Sequence, residues 1–240
     1  MTHPLDNPLW EALTGPQAHL AVRHGRAARY PADVSPFAAV PGPGPAWDDL
    51  AALTGEDGTV VVPAAPAEPP PGWERVGAIP GVQMDGSALA VEADPEAVRL
   101  GPADVPEMLD LVTRTQPGPF EHRTITLGTY LGIRRGGALV AMAGERMRPP
   151  GWGEISAVCT DPAHRGQGLA GRLVRAVGAV VRERGDVPFL HAATTNATGI
   201  RLYEQLGFTL RREILFAVLR VTAGGRPGAQ HGGHTAVGVQ

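Results

Sequence analysis

The stretch GEISAVCTDPAHRGQGLAGRLVRAV, residues 153–177, decides the fold. Residues 155–160 are apolar and largely β-branched, which predicts a strand, and Asp161-Pro162 ends it. A glycine-rich turn at residues 165–168 follows, and apolar residues then recur at helical spacing, at Leu169, Leu173, Val177 and Val180. A strand, a turn and a helix N-terminus bring unpaired backbone N–H groups to one point, where the helix dipole adds positive charge. The stretch therefore predicts a phosphate-binding turn.

The glycines of this turn also fit a dinucleotide-binding motif. Gly166, Gly168 and Gly171 spell GxGxxG, but five residues separate Gly166 from the end of the predicted strand. The next predicted strand, residues 189–191, ends in a histidine where a ribose-binding acid is expected. NAD binding is therefore the disfavoured alternative.

A second motif identifies the turn differently. Arg165, Gly168 and Ala170 fit the pattern Arg/Gln-x-x-Gly-x-Gly/Ala, and the segment NATGIRLYEQLGF, residues 196–208, follows at the expected distance. Together with Pro-Gly-Pro-Phe at residues 117–120, these motifs resemble the GCN5-related N-acetyltransferases, and most closely their FR47-like branch. The resemblance covers residues 98–220 and extends more distantly to glycine N-acyltransferases.

The resemblance implies a mixed α/β fold, with a mostly antiparallel central sheet flanked by helices and an N-terminal α/β extension. It implies an acetyl-CoA-dependent N-acetyltransferase without a metal, whose acceptor is a primary amine of a small molecule or peptide that attacks directly in a ternary complex. A non-catalytic acyl-CoA-binding module is the alternative, and a homodimer is left open. We expect residues 1–94 to form an auxiliary region, with a degenerate copy of the same fold as one alternative, residues 95–221 the catalytic domain, and residues 222–240 a disordered tail.

The same resemblance implies the site residues. Tyr203 is expected to protonate the leaving thiolate, and Glu154 to act as general base, with Glu145 or water as the alternatives. Asn196 and Tyr203 are seven residues apart, so on a helix they share one face. We expect the acetyl-CoA site to consist of Val158, Cys159, Thr160, Arg165, Gly166, Gln167, Gly168, Leu169, Ala170, Asn196 and Tyr203. The resemblance also implies that the strand bulges at Val158, whose backbone N–H would polarise the thioester.

Composition excludes several classes of function. All 21 basic residues are arginine, so Schiff-base enzymes and P-loop NTPases, which need lysine, are excluded. Residues 1–100 contain 13 acids and 5 arginines, whereas residues 101–240 contain 11 acids and 16 arginines. The basic half suits a phosphate-bearing cofactor, but its arginines are too dispersed for a nucleic-acid face. Without an apolar run of membrane-spanning length or a signal peptide, we expect a cytoplasmic protein with no membrane partner.

Overall fold

The computed structural model describes residues 3–66 and 68–222. Within them, the helices are α1 (Pro8–Thr14), α2 (Ala46–Thr54), α3 (Val105–Thr115), α4 (Leu169–Glu183) and α5 (Ala197–Leu206). The strands are β1 (Val22–His24), β2 (Ala27–Arg29), β3 (Ala38–Ala39), β4 (Thr59–Pro63), β5 (Trp73–Asp85), β6 (Val98–Arg99), β7 (Tyr130–Arg135), β8 (Ala138–Glu145), β9 (Trp152–Thr160), β10 (Val187–Ala193) and β11 (Thr209–Val221). No helix of this part of the chain is long and apolar enough to cross a lipid bilayer.

One large sheet organises the molecule. Its eight strands lie in the order β4-β11-β5-β10-β9-β8-β7-β6, and a small three-stranded sheet, β1-β2-β3, accompanies it. In the large sheet β9 and β10 pair in parallel, and the other neighbours are antiparallel. The expectation of a mixed, mostly antiparallel α/β fold is confirmed.

The N-terminal region is part of this sheet, which corrects the expected division at residue 94. Strand β5 lies between β10 and β11 and pairs with both, and β4 forms the edge beyond β11. Leu5, Leu9 and Tyr30 share one buried cluster with Phe189 and Ile214 from the C-terminal half. A boundary at Asp94-Pro95 would separate a central strand from its partners. The expected tail, apart from Thr222, lies outside the described residues.

Helix α4 packs on the sheet beside the glycine-rich turn that follows β9. Its buried face includes Leu169, Leu173, Val174 and Val177, which pack in one cluster with residues of β8, β9 and β10. Val181, rather than the expected Val180, continues this face. The helical spacing therefore predicted the helix and most of its buried side chains correctly, and the helix fixes the turn at the carboxyl end of β9.

Candidate active site

A bulge in β9 opens the sheet. Met142 pairs with Cys159 and Gly144 with Ser156, so Ala143 faces two residues, Ala157 and Val158. Ala157 has φ of 52°, a left-handed conformation that is unfavourable for a residue with a side chain. Such an extra residue bends its strand and redirects the neighbouring backbone groups. The bulge expected beside Val158 is therefore present.

Strands β9 and β10 separate beyond the bulge. Their parallel pairing extends only from Val187 with Trp152 to Leu190 with Ile155. A cavity of about 1090 Å³ opens where they part, and both strands line it. It is one continuous space that reaches from the glycine turn to side chains of the N-terminal region.

The turn end of the cavity consists mainly of backbone. Gly166 and Gly168 have φ of 77° and 72°, which glycine adopts without strain. Gly168 is the N-cap of α4 and no side chain in the described part of the chain caps this helix, so its first N–H groups are left for another acceptor. The expected residues that line the cavity are Val158, Cys159, Thr160, Arg165, Gly166, Gly168, Leu169 and Ala170, whereas Gln167 does not line it.

One side chain at this end lacks a partner. The hydroxyl of Thr160 is buried and makes no hydrogen bond within the described residues. A buried hydroxyl without a partner costs free energy, which a ligand with a polar group could recover. The turn end thus offers anion-binding N–H groups beside a hydroxyl that needs a partner.

Helix α5 brings Asn196 and Tyr203 to the same cavity. Both line it, and the Asn196 side chain accepts a hydrogen bond of 3.0 Å from the Gly199 N–H, capping the helix. The Tyr203 side chain is nearly buried and packs edge-on against Phe208, with ring centroids 5.9 Å apart. Burial raises the pKa of Tyr203 to about 12, with a smaller contribution from the Cys159 thiol. The phenol is therefore protonated at neutral pH.

The two carboxylates considered as bases are buried away from the cavity. Glu154 accepts two hydrogen bonds from Arg146, of 2.9 and 2.5 Å, and lies 2.7 Å from Nδ1 of His191. Although burial alone would raise the pKa of Glu154, the charge and hydrogen bonds of Arg146 and the contact with His191 lower it well below its ordinary value. Glu145 is equally buried and accepts from Arg184 at 2.6 Å and from the Thr129 N–H at 2.9 Å. This geometry does not support the expectation that either carboxylate is the general base.

His191 has both ring nitrogens occupied. Arg211 donates to Oε1 of Gln83, so the amide nitrogen of Gln83 faces Nε2 of His191, at 3.0 Å. Nε2 then accepts this bond, and Nδ1 carries the proton that is donated to Glu154. The side chain of His191 is 2% exposed, although the residue lines the cavity. It therefore holds Glu154 in place, and both of its ring nitrogens have partners within the protein.

The comparisons with known proteins agree with this geometry. Residues 130–217 match the family model described as FR47-like protein. A crystal structure from Novosphingobium aromaticivorans, assigned to the GNAT family of acetyltransferases, is 44% identical with a TM-score of 0.85, covering 92% of this chain and 100% of that one. The chain belongs to the GNAT family of acetyltransferases. The matching family model and the GNAT relatives support an acetyltransferase enzyme.

Two further relatives bear on the fold and on its extent. A GCN5-related N-acetyltransferase from Kribbella flavida, 17% identical, superposes with a TM-score of 0.57 over 95% of this chain and 97% of that one, which shows the shared fold. The N-alpha-acetyltransferase RimI of Mycobacterium tuberculosis is 38% identical over 82 residues. That match covers 33% of this chain and 51% of RimI, so the chain spans about half the length of this curated relative.

Sequence reasoning missed the end of this GNAT cavity opposite the turn. We call it the far end; it is formed by Phe37, Val61, Ile79, Arg146, His191 and Phe216. The residues come from distant parts of the chain, and no local motif joins them. The one available signal was His191, which the sequence places at the end of an apolar strand.

Proposed function

We propose that this GNAT protein transfers an acetyl group from acetyl-CoA to a primary amine, which attacks directly in a ternary complex. The observation that carries the proposal is the bulge at Ala157 and Val158, which opens one cavity to both the anion-binding turn and Tyr203. Direct attack requires donor and acceptor in the same space, and a continuous cavity with two chemically different ends provides it.

The turn end fits the phosphate-bearing part of acetyl-CoA. Backbone N–H groups at the start of α4 would bind the pyrophosphate, aided by the helix dipole. The hydroxyl of Thr160 and the Asn196 side chain would contact the remainder of the cofactor, and the N–H of Val158 would donate to the thioester oxygen. An N–H aimed at the position of a developing negative charge is an effective catalytic device.

Tyr203 is proposed as the proton donor to the leaving thiolate. A phenol with a pKa of about 12 is a weak acid beside an ordinary thiol with a pKa of about 8.5. However, burial raises the pKa of Cys159, a thiol in the same cavity wall, to about 11. A departing thiolate in this environment would likewise be a stronger base than in water. The difference between the pKa of its thiol and the pKa of Tyr203 would therefore be smaller.

Water is proposed to take the proton of the attacking amine. Among the described residues that line the cavity there is no Asp or Glu, and Glu154 and Glu145 are engaged in buried ion pairs. The pH dependence of kcat/KM should therefore follow the pKa of the acceptor amine. Two acceptors whose amine pKa values differ by about two units should give profiles displaced by the same amount, whereas coincident profiles would point to a base on the enzyme.

Acetyl-CoA consumption against a panel of amines and peptides tests the function. The panel includes α-amino groups, because RimI is named for acetylating them. Binding of acetyl-CoA, measured by calorimetry, with turnover of at least one amine is expected. Tight binding without turnover of any panel member would favour the non-catalytic acyl-CoA-binding module, and tight binding of NAD instead would overturn the proposal. A cytoplasmic location and a homodimer remain predictions.

A further inference from the structure

The far end of the cavity presents an apolar surface beside a cation. Phe37 and Phe216 lie with ring centroids 6.0 Å apart, and Ile79 pairs directly with Phe216 across β5 and β11. Ile79 is 49% exposed, although its cross-strand partner Phe216 is buried. An apolar side chain left open in a cavity wall gains free energy when an apolar ligand group covers it.

Arg146 lies against this surface with one donor group unused. Its guanidinium carbon is 4.7 Å from the centroid of the Phe37 ring. Nε and Nη2 donate to Glu154, while Nη1 makes no hydrogen bond within the described residues, and 11% of the side chain is exposed. Burial lowers the pKa of Arg146, but the charge and hydrogen bonds of Glu154, with smaller contributions from Tyr130 and Tyr30, together outweigh it, so the pKa lies above its ordinary value. Arg146 is therefore always charged, with Nη1 available to a ligand oxygen.

The charges of the cavity wall narrow the class of acceptor. The ionisable side chains among the described lining residues, apart from Cys159 and Tyr203, are arginines and histidines, Arg146, Arg165, Arg201, His164 and His191. A wall without carboxylates has no group to neutralise a second ammonium on the acceptor, so a polyamine or aminoglycoside would meet repulsion. An acceptor that carries its own oxygen would instead complement Arg146.

We infer that the acceptor is an α-amino compound with an apolar side chain, whose adjacent carboxylate or carbonyl oxygen accepts from Nη1 of Arg146. The inference rests on the proposed function and names the substrate class of that site. The apolar side chain packs on Ile79 and Phe216, and the amine faces the bulge of β9. Phe37, Val61 and Ile79 belong to the first 94 residues, so that region sets acceptor specificity.

Matched acceptors separate the two contacts. L-phenylalanine and a phenylalanyl dipeptide carry the oxygen, phenethylamine lacks it, and spermidine has several ammonium groups. Expressed per concentration of unprotonated amine, because the amine pKa values of these acceptors differ, kcat/KM for the better of the first two should exceed that for phenethylamine by about tenfold or more, the contribution of a hydrogen bond to a charged group. The comparison of the free acid with the dipeptide tells an amino acid substrate from a peptide N-terminus.

Two variants test the residues. Ile79→Ala should raise KM for the preferred acceptor about three- to tenfold, with acetyl-CoA affinity unchanged. Val76→Ala is the matched control, because Val76 lies on the same strand, is 42% exposed and is outside the cavity wall. Arg146→Lys keeps a charge beside Glu154 but loses the guanidinium fork, so the preference for phenylalanine over phenethylamine should fall toward unity. If this variant does not fold, the Ile79 and Val76 pair decides.

Failure of this inference can be told from failure of the proposed function. Binding of L-phenylalanine, the dipeptide and spermidine, measured by calorimetry with coenzyme A present, reports recognition without turnover. Tighter binding or faster acetylation of spermidine, or equal KM values for the Ile79→Ala and Val76→Ala variants, would overturn the inference and leave acetyl transfer standing. Recognition of phenylalanine or the dipeptide without acetylation of any amine would overturn the proposed function alone.

Discussion

The two ends of the cavity are built in different ways. The turn end is formed largely by consecutive backbone, from the bulge of β9 through Gly168 to the first turn of α4. The far end consists of side chains from distant positions, including Phe37, Ile79 and Phe216. Backbone groups bind the common part of a cofactor whatever the neighbouring side chains are, whereas dispersed side chains can change one at a time. The difference suggests a constant donor end and a variable acceptor end.

Loss of the Tyr203 hydroxyl is expected to have the largest effect on the rate. Tyr203→Phe should lower kcat about a hundredfold to ten-thousandfold, or roughly 3–5 kcal/mol of barrier, while acetyl-CoA affinity stays nearly constant. Tyr130→Phe is the matched control, because the Tyr130 hydroxyl is buried, has no hydrogen-bond partner among the described residues and is not in the cavity wall. Steady-state kinetics at saturating substrates measures both variants. An unchanged kcat for Tyr203→Phe would remove the hydroxyl from the mechanism.

Neutralising Glu154 tests how much the buried ion pair of Glu154 and Arg146 contributes to the stability of the fold. Glu154→Gln leaves the Arg146 guanidinium without its counter-charge, which should lower the free energy of unfolding by about 3–5 kcal/mol. Denaturant unfolding measures the free energy of unfolding of this variant. Glu145→Gln, which neutralises the other buried carboxylate, is measured for comparison. A stable Glu154→Gln protein with greatly reduced kcat would instead restore Glu154 as a base.

The same ion pair makes stability depend on acid. The folded state holds the pKa of Glu154 below its value in the unfolded chain, so the unfolded state binds more protons as the pH falls. Its stabilising contribution is complete above the pKa of the unfolded state, 4.5, and is lost progressively as the pH falls below it. Unfolding measured between pH 7 and pH 3 should show a smaller acid dependence in Glu154→Gln than in the parent protein.

A negative charge placed at the turn end should weaken the binding of acetyl-CoA and leave acceptor binding unchanged. Gly168→Glu forces a side chain into a left-handed position and puts a negative charge beside the anion site, so acetyl-CoA affinity should fall at least about a hundredfold. Gly136→Glu is the control, because Gly136 has a similar φ of 56° in the β7–β8 turn, outside the cavity wall. Calorimetry with acetyl-CoA compares them, and equal affinities would place the cofactor elsewhere.

The sequence predicted best what depends on neighbouring residues. The turn, α4 and α5 follow from local spacing, and the bulge was expected at Val158 from family resemblance. The pairing of β5 with β10 and β11 could not be predicted, because the partners lie more than one hundred residues away along the chain. The same limit hid the burial of Glu154, since Arg146 contacts it from the segment after β8 and His191 from β10.

The place of β5 bears on how the chain is made. Trp73 pairs with Val221 and Asp85 with Thr209. Strand β5 is therefore synthesised long before β11, the strand with which it pairs. Until then the unpaired backbone N–H and C=O groups along both edges of β5 are available to other chains, and such edges promote aggregation. Pairing over so large a sequence separation also slows folding. A fragment beginning at residue 95, which the family motifs alone would suggest, would leave β10 and β11 without the strand between them and should be recovered mainly as insoluble material.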